Sequence, residues 1–159
     1  MKRFNWIDIT IVVILIAAVA FLGMKMLGGK TETLGAENQL SEPNLRIEVL
    51  CEDVTLEVAE NVIASLQGAP REMSGMMVEK TRLFNSSNLV DGAITAWVIE
   101  PTERENVVNL RLTIEANAVL SKGSYSIGTQ EIRIGRGYTA KTMDIELEGS
   151  IAVMTELAK

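Results

Sequence analysis

The sequence predicts a mainly β fold with one packed helix, a small β-barrel-like α+β domain, after an N-terminal transmembrane helix. Three observations predict it. An apolar run without charges occupies residues 9–24, and a polar stretch with three glycines follows at residues 28–43. Beyond it, apolar and polar residues alternate in short segments between glycine-rich turns. We therefore divide the chain into an anchor (1–27), a flexible linker (28–43) and a β-rich extracytoplasmic domain (44–159).

The anchor is long enough to cross a bilayer. Residues 6–27 are predominantly apolar, with one charged residue near each end, and about 20 apolar residues span a hydrocarbon core of roughly 30 Å. Asp8 lies near the positive end of the helix dipole, and the ring of Trp6 suits the boundary between lipid and water. We expect membrane lipid to surround an anchor that includes Trp6, Asp8, Ile9 and Leu22.

The residues around the apolar run predict its topology. Lys2 and Arg3 come before it and Lys25 and Lys30 after it, so the positive-inside comparison is nearly balanced. The short basic leader followed directly by an apolar run favours a single-pass protein of the cell membrane with its N-terminus in the cytoplasm and its C-terminal domain outside. A cleaved signal peptide is the alternative, because residues 18–20 (Ala-Val-Ala) have the form of a cleavage site, but the apolar run continues to Met24. A pilin-like subunit is a second alternative. Residues 4–8 resemble the aromatic start of type IV pilins, but Arg3 replaces the small residue at their processing site.

The composition excludes several kinds of chemistry. The chain has no histidine, which removes the commonest general base and metal ligand, and its one cysteine, Cys51, excludes an intramolecular disulfide. With 21 acidic and 15 basic residues the net charge is −6, which disfavours a nucleic-acid partner. We expect a protein that is not an enzyme and has neither a cofactor nor a metal. We also expect Cys51 to be a small buried side chain.

The domain begins with a strand and a helix. Residues 45–50 alternate apolar and polar side chains with the period of a half-buried strand. Thr55 is a favourable N-cap for a helix that runs to Leu66, because apolar residues recur at helical spacing from Ala59 and Gly68 follows as a stop. This helix is expected to pack on a sheet.

The second half of the chain is rich in strands. Residues 93–100 and 107–116 alternate in the same way around a charged turn and predict a hairpin, whereas residues 68–92 show no regular pattern. Further strands are predicted at residues 125–127, 131–134, 139–143 and 145–155.

A short internal sequence repeat predicts that the sheet closes on itself. Residues 91–94 (Asp-Gly-Ala-Ile) and 148–151 (Glu-Gly-Ser-Ile) each place an acid, a glycine, a small residue and an isoleucine at the predicted start of a strand. Two such starts in one domain indicate that similar hairpins recur in a small closed or partly closed barrel.

A turn with two arginines is the candidate contact surface. Residues 134–138 (Ile-Gly-Arg-Gly-Tyr) contain a G-x-G, but they lack the third glycine and the following helix of a nucleotide-binding loop, so a tight turn or bulge is predicted. We identify Arg133, Arg136 and Tyr138 as the candidate partner surface, able to contact a carboxylate or phosphate. The simpler interpretation is a solvated turn.

A set of short motifs runs through most of the chain. They are residues 5–8 (Asn-Trp-Ile-Asp), the strand and helix at 45–66, Asp91-Gly92, residues 125–128 (Tyr-Ser-Ile-Gly), residues 132–135 (Ile-Arg-Ile-Gly) and residues 148–151. This set resembles an uncharacterised bacterial family that is catalogued as a domain of unknown function, number forty-three thirty. The resemblance implies a bacterial single-pass envelope protein, in a family some of whose members accompany surface-polysaccharide genes. It transfers no catalytic residue.

Together these observations predict a binding role. We expect a membrane-anchored, non-catalytic accessory or scaffold protein whose extracytoplasmic domain binds an envelope protein in cell-envelope assembly or polysaccharide export. The first alternative is a lipid- or glycan-binding module, which a deep apolar pocket lined by Ile94, Trp97 or Leu112 would favour.

A third class of function is an acid–base hydrolase with paired carboxylates. Asp53, Glu100 and Asp144 are its candidate residues. Acids at these places are equally explained as strand ends and turns, so this function requires that two of them converge in one cleft.

Overall fold

The computed structural model describes residues 40–86 and 88–158. Outside the described residues lie the predicted anchor residues Trp6, Asp8, Ile9 and Leu22. Within them the chain forms one α-helix and eleven β-strands. No helix in this part of the chain is long and apolar enough to span a membrane.

The strands alternate with short turns, and the helix follows the first strand. The elements are β1 (Leu45–Thr55), α1 (Leu56–Leu66), β2 (Arg71–Met73), β3 (Met76–Val78), β4 (Arg82–Asn85), β5 (Asn88–Pro101), β6 (Val107–Ala116), β7 (Val119–Ser121), β8 (Ser124–Ile127), β9 (Gln130–Ile132), β10 (Gly137–Lys141) and β11 (Glu146–Glu156).

Six antiparallel strands form the main sheet in the order β10-β11-β1-β6-β5-β4. The outer strands β4 and β10 approach each other, with Cα atoms within 8 Å, so the sheet curls into a nearly closed barrel. Strands β2 and β3 form a separate hairpin, and β7, β8 and β9 form a small three-stranded sheet. The predicted mainly β, barrel-like fold with one helix is confirmed.

The core fills the inside of the barrel. Every second residue of β6 from Val108 to Ala116 is buried, which is the alternation seen in the sequence. On the neighbouring β1, Ile47, Val49 and Cys51 have no exposed surface. Burial raises the pKa of the Cys51 thiol to about 11, so at neutral pH it is a protonated, apolar core group, as predicted.

The helix α1 forms where the sequence predicts it. The Thr55 side chain accepts a hydrogen bond from the Val58 backbone N–H, and Ala59, Val62 and Leu66 turn inward. The cap satisfies one of the free N–H groups at the helix start. Short helices are only marginally stable in water, so most of the stability of α1 comes from packing this apolar face on the sheet.

Several short strands were not predicted. The strands β2, β3 and β4 occupy the region without a regular pattern, and β5 begins at Asn88 rather than at Ala93. A two-residue turn joins β2 and β3. Ser74 and Gly75 both have positive φ (53° and 82°), as a type I′ turn requires. Three-residue strands are too short for periodicity to reveal them.

Gly92 and Gly149, the glycines of the internal repeat, lie inside strands. The prediction that they lie at strand starts was wrong. A Cβ on Gly92 of β5 would lie 2.6 Å from the Ala116 Cβ, and one on Gly149 of β11 would lie 2.6 Å from the Leu50 carbonyl oxygen. Each glycine therefore permits a close backbone approach. The repeat itself is present in the topology, because β5 pairs with the outer strand β4 as β11 pairs with the outer strand β10.

Candidate partner-binding groove

An open groove of about 520 Å³ runs beside the small sheet β7-β8-β9. We call it the β7 groove and define it by its lining residues, which are Leu120, Gly123, Ser124, Tyr125, Ile132, Arg133, Ile134, Met154 and Glu156. The groove combines apolar side chains with one cation and one carboxylate. Such a mixture is typical of surfaces that bind a partner with defined orientation.

A tight hairpin shapes one wall of the β7 groove. Lys122 and Gly123 have φ values of 51° and 78°, which is the type I′ turn favoured between two twisted strands. This turn sets the register in which Leu120 lies opposite Tyr125, and Tyr125 opposite Ile132 on β9. Residues opposite each other project to the same face, so these three side chains line the groove from one face, with Leu120 exposed and Ile132 buried in the core.

The apolar residues at the edge of the groove are strongly exposed. Leu120 is 59% exposed, Ile134 is 65% exposed and the neighbouring Val119 is 64% exposed. Single exposed apolar residues are common on protein surfaces, but two that line the same groove, as Leu120 and Ile134 do, are characteristic of binding sites.

A second turn presents Ile134 on the other side. The Arg136 N–H donates to the Arg133 carbonyl (3.0 Å), and Gly135 has a φ of 83°, which closes a tight turn. Two further bonds fix this turn on β11: Gly135 N–H donates to the Ile151 carbonyl (2.8 Å), and Ile151 N–H donates to the Arg136 carbonyl (2.9 Å). The predicted turn is confirmed, and it holds Ile134 outward.

Glu131 joins the two turns electrostatically. Its carboxylate pairs with Arg133 (2.6 Å) and Arg136 (2.5 Å) and accepts a hydrogen bond from the Ser124 hydroxyl (2.6 Å). The Ser124 hydrogen bond and the two arginines hold the pKa of Glu131 below its usual range. Two arginines share this glutamate, and Glu156 adds a second carboxylate at the groove, so these four charges balance.

The far wall of the groove is closed by a link to the barrel. The Tyr125 hydroxyl donates to Glu156 Oε1 on β11 (2.9 Å), and this hydrogen bond raises the pKa of Tyr125. The neighbouring Met154 packs partly against the core. The small sheet is therefore tied to the last strand of the barrel at the groove.

The three residues of the predicted partner surface lie in two different environments. Arg133 lines the β7 groove, and Arg136 lies beside it in the Glu131 cluster. Tyr138 is only 3% exposed, so its place on a contact surface was wrong. Strand β10 begins at Gly137, and the alternation from that point turns Tyr138 and Ala140 into the barrel, where burial also raises the pKa of Tyr138.

The three candidate acids of a hydrolase have separate cation partners. Asp53 pairs with Arg104, Glu100 pairs with Arg111 (2.7 Å), and Asp144 pairs with Lys80 and Arg71. No two of them share a partner among residues 40–86 and 88–158. These pairs are those of strand ends and turns.

Asp144 also lines a smaller cavity of about 250 Å³ beside α1, together with Glu146. The hydrogen bond from Lys80 holds the pKa of Asp144 below its usual range, with Arg71 acting in the same direction. A general acid needs the opposite shift, because it must keep its proton near neutral pH. The contacts of Asp144 with Lys80 and Arg71 are therefore typical of a structural role, in which they connect the helix, β2 and the β10–β11 connection.

The residues proposed for an apolar pocket belong to the core instead. Ile94 and Leu112 are at most 2% exposed, and Trp97 packs partly against the same cluster. Their side chains fill the barrel, so the interior at these positions is packed.

Sequence reasoning missed Leu120 and most of the β7 groove. Exposure of a leucine or isoleucine follows from tertiary packing and leaves no trace in the local pattern. One usable signal was present, namely the apolar pair Val119-Leu120 directly before Ser-Lys-Gly-Ser, which is typical of a short hairpin.

The fold and the groove define a small, mainly β, barrel-like domain with one helix and an exposed, partly apolar groove. The chain belongs to the family described as Domain of unknown function (DUF4330), whose family model matches residues 1–155. The resemblance inferred from the short motifs is thereby confirmed. Neither the curated proteins nor the solved structures contain a match to the chain.

Proposed function

We propose that this chain is a membrane-anchored, non-catalytic accessory or scaffold protein whose extracytoplasmic domain binds a partner in cell-envelope assembly or polysaccharide export. The contact surface is the β7 groove. The observation that carries the proposal is the exposure of Leu120 and Ile134 on opposite sides of this groove. Burying both side chains against a partner would remove apolar surface from water and stabilise the complex.

The packed interior supports a role at the surface. Ile94 and Leu112 are buried in the core where an apolar pocket was expected, so the proposal places binding on the outside of the domain. The ordered turns around Gly123 and Gly135 hold the exposed residues in place before a partner arrives, which lowers the entropy cost of binding.

The N-terminal part supplies location in this proposal. The apolar residues 6–27 hold the protein in the membrane, and the glycine-containing linker lets the domain search the nearby volume. Confinement to one membrane raises the effective concentration of a partner there, so a surface of modest affinity is sufficient.

Photo-crosslinking of the full chain in its native membranes tests the proposal. A photoreactive residue at position 134 reports occupancy of the groove, and Leu120→Glu places a charge in its apolar wall. Val98→Glu is the matched control, because Val98 is similarly exposed (53%) on β5 and does not line the groove. We expect Leu120→Glu to abolish the adduct and Val98→Glu to leave it. Equal adduct yields from the two variants would contradict the proposal.

A further inference from the structure

We propose that the segment of the partner that occupies the β7 groove is an extended chain that adds to the outer edge of β7 as a further strand. It places an apolar side chain in the groove and a carboxylate against Arg133. This inference rests on the proposed function and names the kind of partner segment that the same surface takes.

The register of the hairpin shows which backbone groups face outward. Ser121 and Ser124 flank the two-residue turn and therefore form a hydrogen-bonded pair. In an antiparallel ladder such pairs alternate with pairs that are not hydrogen-bonded, so Leu120 and Tyr125 form one of the latter. The N–H and C=O of Leu120 point away from β8.

The outer edge of β7 is open in the described part of the chain. Strand β7 is an end strand of its sheet, with β8 as its only neighbour among residues 40–86 and 88–158. Natural proteins protect such edges with charges, prolines or covering loops. Val119, Leu120 and Ser121 provide neither charge nor proline, and all three are exposed.

An added strand would use the groove for side-chain recognition. Its residue opposite Leu120 projects to the face that Leu120 shares with Tyr125 and Ile132, where an apolar side chain meets the groove. Arg133 is 65% exposed in its side chain and lines the same groove. With Arg136 and the exposed Lys122 close to the same two turns, three cations stand beside two carboxylates, Glu131 and Glu156, so a further carboxylate is the complementary charge.

The same charges favour a different protein over a second copy of this chain. Pairing β7 with β7 would bring together two copies of an edge with the same excess of positive charge, which is unfavourable. A bilayer would use the exposed apolar side chains and the cations, but it would not use the directional N–H and C=O of Leu120. Main-chain recognition at a sheet edge needs both groups.

Two variants at one position separate strand addition from side-chain contact. Leu120→Ala removes the side chain and keeps the N–H, whereas Leu120→Pro removes both. Proline is tolerated on an edge strand where its nitrogen faces outward, and the β7–β8 ladder does not use the Leu120 N–H. Melting curves of both variants check that the fold is retained.

The readout is the adduct from a photoreactive residue at position 134 in the full chain in native membranes, with the crosslinked peptide mapped by mass spectrometry. We expect the yield from Leu120→Pro to be about tenfold lower than that from Leu120→Ala, since a buried backbone carbonyl of the partner loses its donor. The mapped peptide should contain alternating apolar residues and an acid. Equal yields, adducts with lipid, or adducts with a second copy would overturn the inference.

Amide hydrogen exchange gives a second measure that does not depend on the proline variant. We expect the Leu120 amide to exchange slowly in native membranes and rapidly in the chain purified in detergent. Equal exchange in both states would also overturn strand addition. If Leu120→Glu abolishes the adduct while the proline and alanine variants give equal adduct yields, the groove binds a partner by side chains alone and strand addition is overturned. If Leu120→Glu leaves the adduct yield unchanged, the proposed function itself is overturned.

Discussion

The Tyr125 hydroxyl donates a hydrogen bond to the carboxylate of Glu156 across 2.9 Å and so ties the small sheet β7-β8-β9 to the end of β11. This bond forms one wall of the β7 groove and connects the small sheet to the barrel. Its strength depends on the phenol proton, because ionised Tyr125 would repel Glu156.

The first prediction concerns the pH dependence of this link. The pKa of Tyr125 is raised in the folded state, so its contribution to stability is complete below the unfolded pKa of about 10 and is lost as the pH rises through the folded value. Ultraviolet titration of the phenols should show Tyr125 ionising above pH 10. Tyr125→Phe should remove this step and lower the melting temperature slightly at neutral pH. A phenol that titrates at the usual value would contradict the hydrogen bond.

Gly149 should not tolerate a side chain. A Cβ there would lie 2.6 Å from the Leu50 carbonyl oxygen and 2.8 Å from a Val49 methyl group, and the backbone would have to shift. We expect Gly149→Ala to destabilise the domain by about 2–3 kcal/mol in urea unfolding. Gly137→Ala is the control, because its Cβ would lie 3.9 Å from the nearest atom. Similar losses in both variants would refute the close strand approach.

Two leucines distinguish the core from the groove. Leu112 has no exposed surface, so Leu112→Ala should cost about 2–5 kcal/mol of unfolding free energy. Leu120→Ala should change it by no more than about 0.5 kcal/mol, since that side chain is mostly exposed. A small effect at Leu112 would indicate a loosely filled barrel and would reopen a ligand cavity.

The proposed membrane anchor predicts where the protein is found after membrane fractionation. We expect the full-length protein to stay in the membrane pellet after alkaline carbonate extraction, because residues 6–27 are apolar over a membrane-spanning length. A shortened soluble form that starts near Phe21 would show instead that the segment is a cleaved signal peptide.

The sequence predicted those features that depend on local periodicity. The alternation in residues 107–116 predicted β6 with the bounds that the structure has, and Thr55 predicted the start of α1. The strands β2, β4 and β7 were missed because their three or four residues are held by turns and partners distant in the chain. Which side chains stay in water depends on the nearly closed barrel as a whole.

Tyr138 shows the same limit at the site. Its neighbours Gly135, Arg136 and Gly137 indicate a turn, and the turn is present, but the start of β10 one residue before Tyr138 decides that its ring points inward. Arg133 is exposed, as an arginine beside a turn is in most contexts. Leu120 was missed because its exposure depends on where the small sheet packs.

The most direct test of partner binding at the β7 groove compares photo-crosslinks from two exposed positions of the full chain in native membranes. One photoreactive residue replaces Ile134 at the groove, and the other replaces Val98 on β5 outside it. We predict a discrete protein adduct from position 134 and none of the same mass from position 98. Equal adducts from both positions, or no adduct from position 134, would contradict the account.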